Sequence, residues 1–394
     1  MTDLLGETNI KVLLICCLIN AFVLSMNFLT VPLYTLALSD SHLVFALVVG
    51  AFPLTAVLLS LVSGGLANYL GRPIMIIASF VFQVSACLLF TVVSSYYGLV
   101  LGQIVLGLAD VSFWISGLAL LTELAPLGRQ YALQGLGSAS MGIGRILGPM
   151  VGGYITTLVG FRGAFLVGGV LALSGLIIAT RMESMPSPDA HAGRFLARLV
   201  EYHKGAWHLL RGSTAVLWGT LAWTMMMLTW PTMGRSFYLE FLISSGFSSS
   251  GVGSLTSARL LIGLLAQLSL AYVGSRISMV KAVLASIVIA ALTVAVTPLL
   301  GSIPLIAAVG CLAGVADIHR PAVISLLAEN TARTEHAVSI SLLNLSWALT
   351  SPTALLMLGA IAEKISLAST FFLTGLFVMS CSGLLWIWAN RIWP

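Results

Sequence analysis

The sequence predicts an all-α membrane protein of twelve transmembrane helices in two pseudo-symmetric six-helix bundles, and three observations carry that prediction. Apolar residues make up 59 % of the chain and charged residues only 8 %, a balance far from that of a water-soluble domain. The apolar residues fall in long runs. A helix needs about 20 of them to cross about 30 Å of hydrocarbon, and the 394 residues have room for about twelve such runs with short loops. The one long hydrophilic stretch, residues 181–213, divides the runs six and six. A closed β-barrel is excluded, because its strands alternate apolar and polar whereas residues 10–38 and 280–300 are apolar almost throughout.

In chain order the expected spans are 11–37, 43–67, 74–94, 97–121, 132–158, 162–180, 214–236, 252–273, 280–298, 303–327, 336–360 and 366–389. The first follows Asp3 and Glu7 and is too long for the core of a cleaved signal peptide. Most of the 18 lysines and arginines then fall on the side that holds both termini, with Arg162, Arg235 and Lys364 on the other. The positive-inside rule therefore predicts cytoplasmic termini, in a plasma (inner) membrane. Cys16, Cys17, Cys87, Cys311 and Cys381 all lie inside apolar runs and form no metal-binding pattern. No basic stripe interleaves with aromatics, so a nucleic-acid partner is not expected.

The expected domains are residues 1–180 and 214–394, joined by the linker 181–213. After its Pro-Ser-Pro start the linker carries Phe195, Leu196, Leu199, Val200 and Trp207 beside Arg194, Arg198 and Lys204, the pattern of a basic amphipathic helix on a bilayer surface. A repeat supports the division. Gly107-Leu-Ala-Asp110 precedes Leu120-Leu-Thr-Glu123 in the fourth span, and Gly314-Val-Ala-Asp317 precedes Leu326-Leu-Ala-Glu329 in the tenth. Matched segments in matched spans are the trace of parallel repeats about an axis along the membrane normal.

The fifth span, Gly135 to Gly153, reads GLGSASMGIGRILGPMVGG. Its small residues allow a neighbouring backbone to approach, and Pro149 removes one helical hydrogen bond. Gly144, Gly148, Pro149, Gly152 and Gly153 fit the antiporter motif of the major facilitator superfamily, which this span resembles. Residues 64–73, GGLANYLGRP, are similar to the family's loop signature between spans two and three at Gly64, Leu66, Gly71 and Arg72, whereas Asn68 stands where the family has an acid. The fourth span is similar to the family's R-x-x-x-G signature, with Gln103 at the arginine position and Gly107 at the glycine. The resemblance covers the whole architecture and points to the drug/proton antiporter-type branch. It implies a central cavity lined by spans 1, 4, 7 and 10, with help from 2, 5, 8 and 11.

A charge at membrane depth is costly and marks a candidate site. Asp110 and Arg145 lie at similar depths in neighbouring spans, so an ion pair between them is expected. The tenth span carries Asp317, His319, Arg320 and Pro321. Asp317 and Arg320 are three apart and can share a face, while His319 points elsewhere and Arg320 can snorkel to the cytoplasmic side. Arg259 is placed in the outer half of the eighth span, within snorkelling reach of the surface. Asn20, Asn27, Trp114, Trp230, Asn344 and Trp347 complete the expected cavity wall.

These residues predict a secondary transporter that moves a small amphipathic or organic-ion solute by alternating access, with protons as the coupling partner and export as the direction. The alternative is uptake or exchange of an organic anion, because Arg145, Arg259 and Arg320 outnumber the deep aspartates. No nucleophile with its base and no HExxH pattern is present, so an enzyme is not expected. No cofactor or metal is expected either, and the protein is read as a monomer in the lipid bilayer.

Overall fold

A computed structural model describes residues 8–125, 130–182, 209–233, 236–273, 276–331 and 336–393. Its helices are α1 (Thr8–Leu38), α2 (His42–Leu70), α3 (Arg72–Val92), α4 (Tyr96–Glu123), α5 (130–159), α6 (161–179), α7 (Thr214–Met233), α8 (Ser236–Ser244), α9 (Ser249–Val273), α10 (Met279–Val296), α11 (Ile303–Ala313), α12 (His319–Glu329), α13 (His336–Lys364) and α14 (Leu367–Ile392). No strand occurs among the described residues. Ten helical segments are long and apolar enough to cross a bilayer. One of them is two spans, because Gly160 (φ 76°, ψ 177°) separates α5 from α6. With the 20-residue α7, the expected twelve spans are present. The proposed linker helix, from Arg194 to Trp207, lies outside the described residues.

By contact density the chain falls into two units. One comprises residues 1–40, 47–195 and 248–257, the other residues 41–46, 196–247 and 258–394. In the first unit α1 and α5 pack backbone to backbone. A Cβ on Gly144 would lie 2.4 Å from the Leu18 carbonyl oxygen, and one on Gly148 would lie 2.5 Å from that of Phe22. This is why the small-residue face of the fifth span takes no larger side chain. The first turns of α9 use the same device against α5. A Cβ on Gly153 would meet the Ser249 oxygen and one on Gly253 the Pro149 oxygen, each at 2.4 Å, and the Met150 N–H donates to Ser257 Oγ at 3.0 Å.

Gly71 adopts φ 91°, a left-handed conformation that a side chain would resist. Pro73 then sits in the first turn of α3, where its missing N–H costs nothing. This turn places Arg72 Nη2 2.6 Å from Glu123 Oε1 at the end of α4. Gly64 lies within α2, and the side chain of Asn68 is outside the description.

In the second unit the tenth span is not one α-helix. Residues Gly314–Ile318 form a 3₁₀ segment between α11 and α12. Pro321 accounts for its position: the proline ring collides with the carbonyl four residues earlier in an α-helix, and here that carbonyl belongs to Asp317. A 3₁₀ stretch within a span re-aims the side chains that follow it.

Candidate functional site

The repeated Gly-x-Ala-Asp segments do the same work in each unit. A Cβ on Gly107 would lie 2.9 Å from the Phe52 carbonyl oxygen of α2, and one on Gly314 would lie 2.4 Å from the Arg259 oxygen of α9. Each glycine admits a neighbouring span, and each is followed three residues later by an aspartate midway along its own span.

In the first unit the Asp110 charge acts on Arg145, and the Arg145 guanidinium carbon lies 5.7 Å from the centroid of the Trp114 ring. One helical turn separates Asp110 from Trp114, so α4 presents a carboxylate and an aromatic face to the same cation. Asn20 and Asn27 are buried and turned towards α3. Gln83 Nε2 donates to Asn20 Oδ1 at 2.5 Å, and Asn27 Nδ2 donates to the Val23 carbonyl at 2.9 Å and to Cys87 Sγ at 3.5 Å. These two asparagines hold α1 on α3. The buried Gln83 Oε1 and Gln103 Oε1 have no hydrogen-bond partner among the described residues.

In the second unit Arg259 does not reach the surface. It is 2 % exposed, and its Nη2 donates to Asp317 Oδ1 at 3.1 Å. A Cβ on Gly263, one turn along α9, would lie 2.5 Å from Asp317 Oδ2, so this glycine makes room for the carboxylate. The Trp230 ring lies 5.8 Å from the Arg259 guanidinium carbon. The expected outward snorkelling of Arg259 fails for a clear reason: Asp317 and an aromatic face solvate the guanidinium at depth, which leaves little drive to stretch towards water. Arg320 is exposed and lies on α12, beyond the 3₁₀ segment that carries Asp317.

His319 is buried between α10 and α7. Its Nδ1 is 2.8 Å from Ser286 Oγ, and its ring stacks on Trp223 at 5.7 Å and 22°. Ser286 gives its own proton to the Val283 carbonyl at 2.6 Å, so it accepts from His319 Nδ1–H and leaves Nε2 as a lone-pair acceptor. Neither His319 Nε2 nor Trp223 Nε1 has a partner among the described residues. Asn344 is exposed and Trp347 half-buried on α13, where Ser346 bonds to Thr224 of α7 at 2.7 Å.

A further cluster in the second unit joins the start of α2 to α8 and α13. His42 Nδ1 lies 2.5 Å from Glu240 Oε1, while Glu363 Oε2 accepts from Ser41 Oγ and from the Leu43 N–H, each at 3.3 Å. One sequence signal was available: Glu240 is a lone carboxylate inside the apolar run Phe237 to Ile243. No group of three or more His, Cys, Asp or Glu residues able to hold a metal ion occurs among the described residues.

Residues 13–244, more than half of the chain, match the family profile described as Major Facilitator Superfamily. The MFS-type transporter olcL of Penicillium canescens is 29 % identical over 142 residues, which cover 35 % of this chain and 24 % of that protein. An uncharacterised MFS-type transporter of Mycobacterium tuberculosis is 24 % identical over 189 residues, covering 46 % and 26 %. The chain thus matches about a quarter of the length of these curated relatives. Among solved structures, a POT family transporter in complex with a thioalcohol-conjugated peptide superimposes with a TM-score of 0.80 at 12 % identity, over 98 % of this chain and 96 % of that one. A bacterial homologue of the human lysosomal transporter Spinster, inward-facing and unoccupied, gives 0.75 at 14 % identity over 97 % and 96 %. At such identities the likeness is one of fold.

Proposed function

The chain belongs to the major facilitator superfamily, whose profile covers residues 13–244, and from that premise we propose that it is a secondary transporter moving a small amphipathic or organic-ion solute by alternating access. The observation that carries this reading is the pairing of charges at mid-span. Asp110 acts on Arg145 beside Trp114, and Asp317 binds Arg259 beside Trp230. An ion pair in low dielectric persists while each charge answers the other and rearranges when a third charge competes. A cationic group can compete for an aspartate and an anionic group for an arginine, while the tryptophans offer apolar faces to the rest of the solute.

Proton-coupled export remains our preferred mode, on the antiporter-type motif of the fifth span. Its glycines and Pro149 make the close contacts of α5 with α1 and with the start of α9. The balance of deep charge supports this preference over organic-anion uptake, since Arg145 and Arg259 each face an aspartate and Arg320 is exposed. We also propose cytoplasmic termini, two six-helix halves meeting at the 181–213 linker, and a monomer. Purified protein in liposomes with an imposed proton gradient tests the reading. Gradient-driven flux of an amphipathic cation, reduced in Asp110→Asn, is expected, and absence of gradient-driven flux for every cation and anion tried would remove it.

A further inference from the structure

We infer that the His42–Glu240 pair in the second unit is a proton-binding site, the one through which transport is coupled. The coupling role rests on the transport reading above, whereas the binding of a proton at this pair stands independently of it.

The deep aspartates are poor acceptors. Asp317 lies 3.1 Å from Arg259, and Asp110 acts on Arg145. An arginine keeps its charge at every accessible pH, so a proton on either aspartate would strand a guanidinium in low dielectric. Glu240 differs in its partner. It is 8 % exposed and faces the His42 imidazole rather than a permanently charged guanidinium. Its second oxygen, Oε2, is buried and has no hydrogen-bond partner among the described residues, and an ionised oxygen in that position carries an unmet desolvation cost that a proton relieves.

The charged groups around Glu240 come from two other helices: His42 of α2 and Glu363 of α13. Asp40 and Lys364 adjoin these elements in sequence, and Arg235 lies outside the described residues. Burial raises the Glu240 pKa, the charge and hydrogen bond of His42 lower it, and the Glu363 charge raises it, with a net shift upwards from the ordinary 4.5. A proton added to the ion pair leaves an imidazolium opposite a neutral acid and removes the attraction between α2 and α8.

That attraction is part of a mechanical anchor. The first turn of α2 is also held by Glu363, which accepts from Ser41 and Leu43, and by the Phe45–Phe237 ring contact at 5.3 Å. It further abuts Gly359, where a Cβ would lie 2.9 Å from the His42 oxygen. Proton occupancy therefore sets how firmly this turn grips α8 and α13, a direct route from protonation to conformation.

Infrared difference spectra of the full-length protein in lipid nanodiscs, titrated between about pH 5 and 8, test the site without any solute. The protonated-carboxyl band is expected to titrate above the ordinary carboxylate range and to disappear in Glu240→Gln. In His42→Gln its midpoint should rise by about one pH unit, because a cation opposite the carboxylate is lost. The band should survive in Asp110→Asn and Asp317→Asn. Should Glu240→Gln not fold, Glu240→Asp must displace the midpoint. A band that persists in Glu240→Gln, one that vanishes in either aspartate variant, or no titrating carboxyl at all overturns the assignment. Titration at Glu240 without gradient-driven flux keeps the site and removes the transport reading. Flux with intact proton coupling in Glu240→Gln keeps the transport reading and removes the coupling role of the pair.

Discussion

Replacing Asp317 by alanine leaves the Arg259 guanidinium buried beside the Gly314–Ile318 segment without its carboxylate. The arginine side chain is 2 % exposed and the aspartate 12 %, and their N–O distance is 3.1 Å, so the pair is desolvated and in direct contact. Breaking such a pair from one side costs about 3 to 5 kcal/mol, because the remaining charge is uncompensated. The Trp230 face does not change this difference, since it contacts the guanidinium before and after the substitution. Arg259 Nε has no hydrogen-bond partner among the described residues even with Asp317 in place. Arg259→Met should cost less, because the residual aspartate can protonate. The double variant Arg259→Met/Asp317→Ala should recover most of the loss, as removing both charges of a buried pair is often neutral. Equilibrium unfolding in mixed micelles across the four proteins gives the coupling energy, expected to be about as large as the Asp317→Ala cost itself, about 3 to 5 kcal/mol. A cost below about 1 kcal/mol for Asp317→Ala, or a double variant no better than the single, would show that Arg259 finds solvent or another partner and would refute the reasoning.

Gly148→Ala would place a Cβ 2.5 Å from the Phe22 oxygen and 2.9 Å from the Met26 nitrogen. It should lower thermal stability by about 1 to 3 kcal/mol, while Gly142→Ala, with nothing within 4 Å, should not. Arg72→Ala removes the ion pair to Glu123, whose side chain is 36 % exposed, and should cost under about 1 kcal/mol in the same melts. The raised pKa of Glu240 fixes a sign. Between the ordinary 4.5 and the raised value the folded protein holds a proton that the unfolded chain has released. Stability therefore falls as pH rises through that window. Melting temperature against pH should show this slope, and Glu240→Gln should flatten it.

Run length and composition made the twelve spans legible, because the bilayer imposes a length that few soluble sequences mimic. The glycines of the fifth span were legible as a close-packed face. The partner of Arg259 was not. Asp317 is 58 residues away, and sequence gives the depth of a charge in a span without giving the rotation of that span. The two asparagines of α1 were placed in a cavity wall for the same reason, whereas they hydrogen-bond towards Gln83 and Cys87. The 3₁₀ break at Asp317 could have been read from Pro321. His42, Glu240 and Glu363 escaped notice because carboxylates near span ends read as solvated, and only folding brings α2, α8 and α13 together.

Flux of radiolabelled amphipathic cations into liposomes carrying the purified chain, with and without an imposed proton gradient, decides whether the protein is a proton-coupled transporter. Accumulation of at least one cation is expected, collapsing with a protonophore and weakened in Asp110→Asn. Uptake that is indifferent to the gradient, or equal to that of protein-free liposomes for every solute, would contradict it.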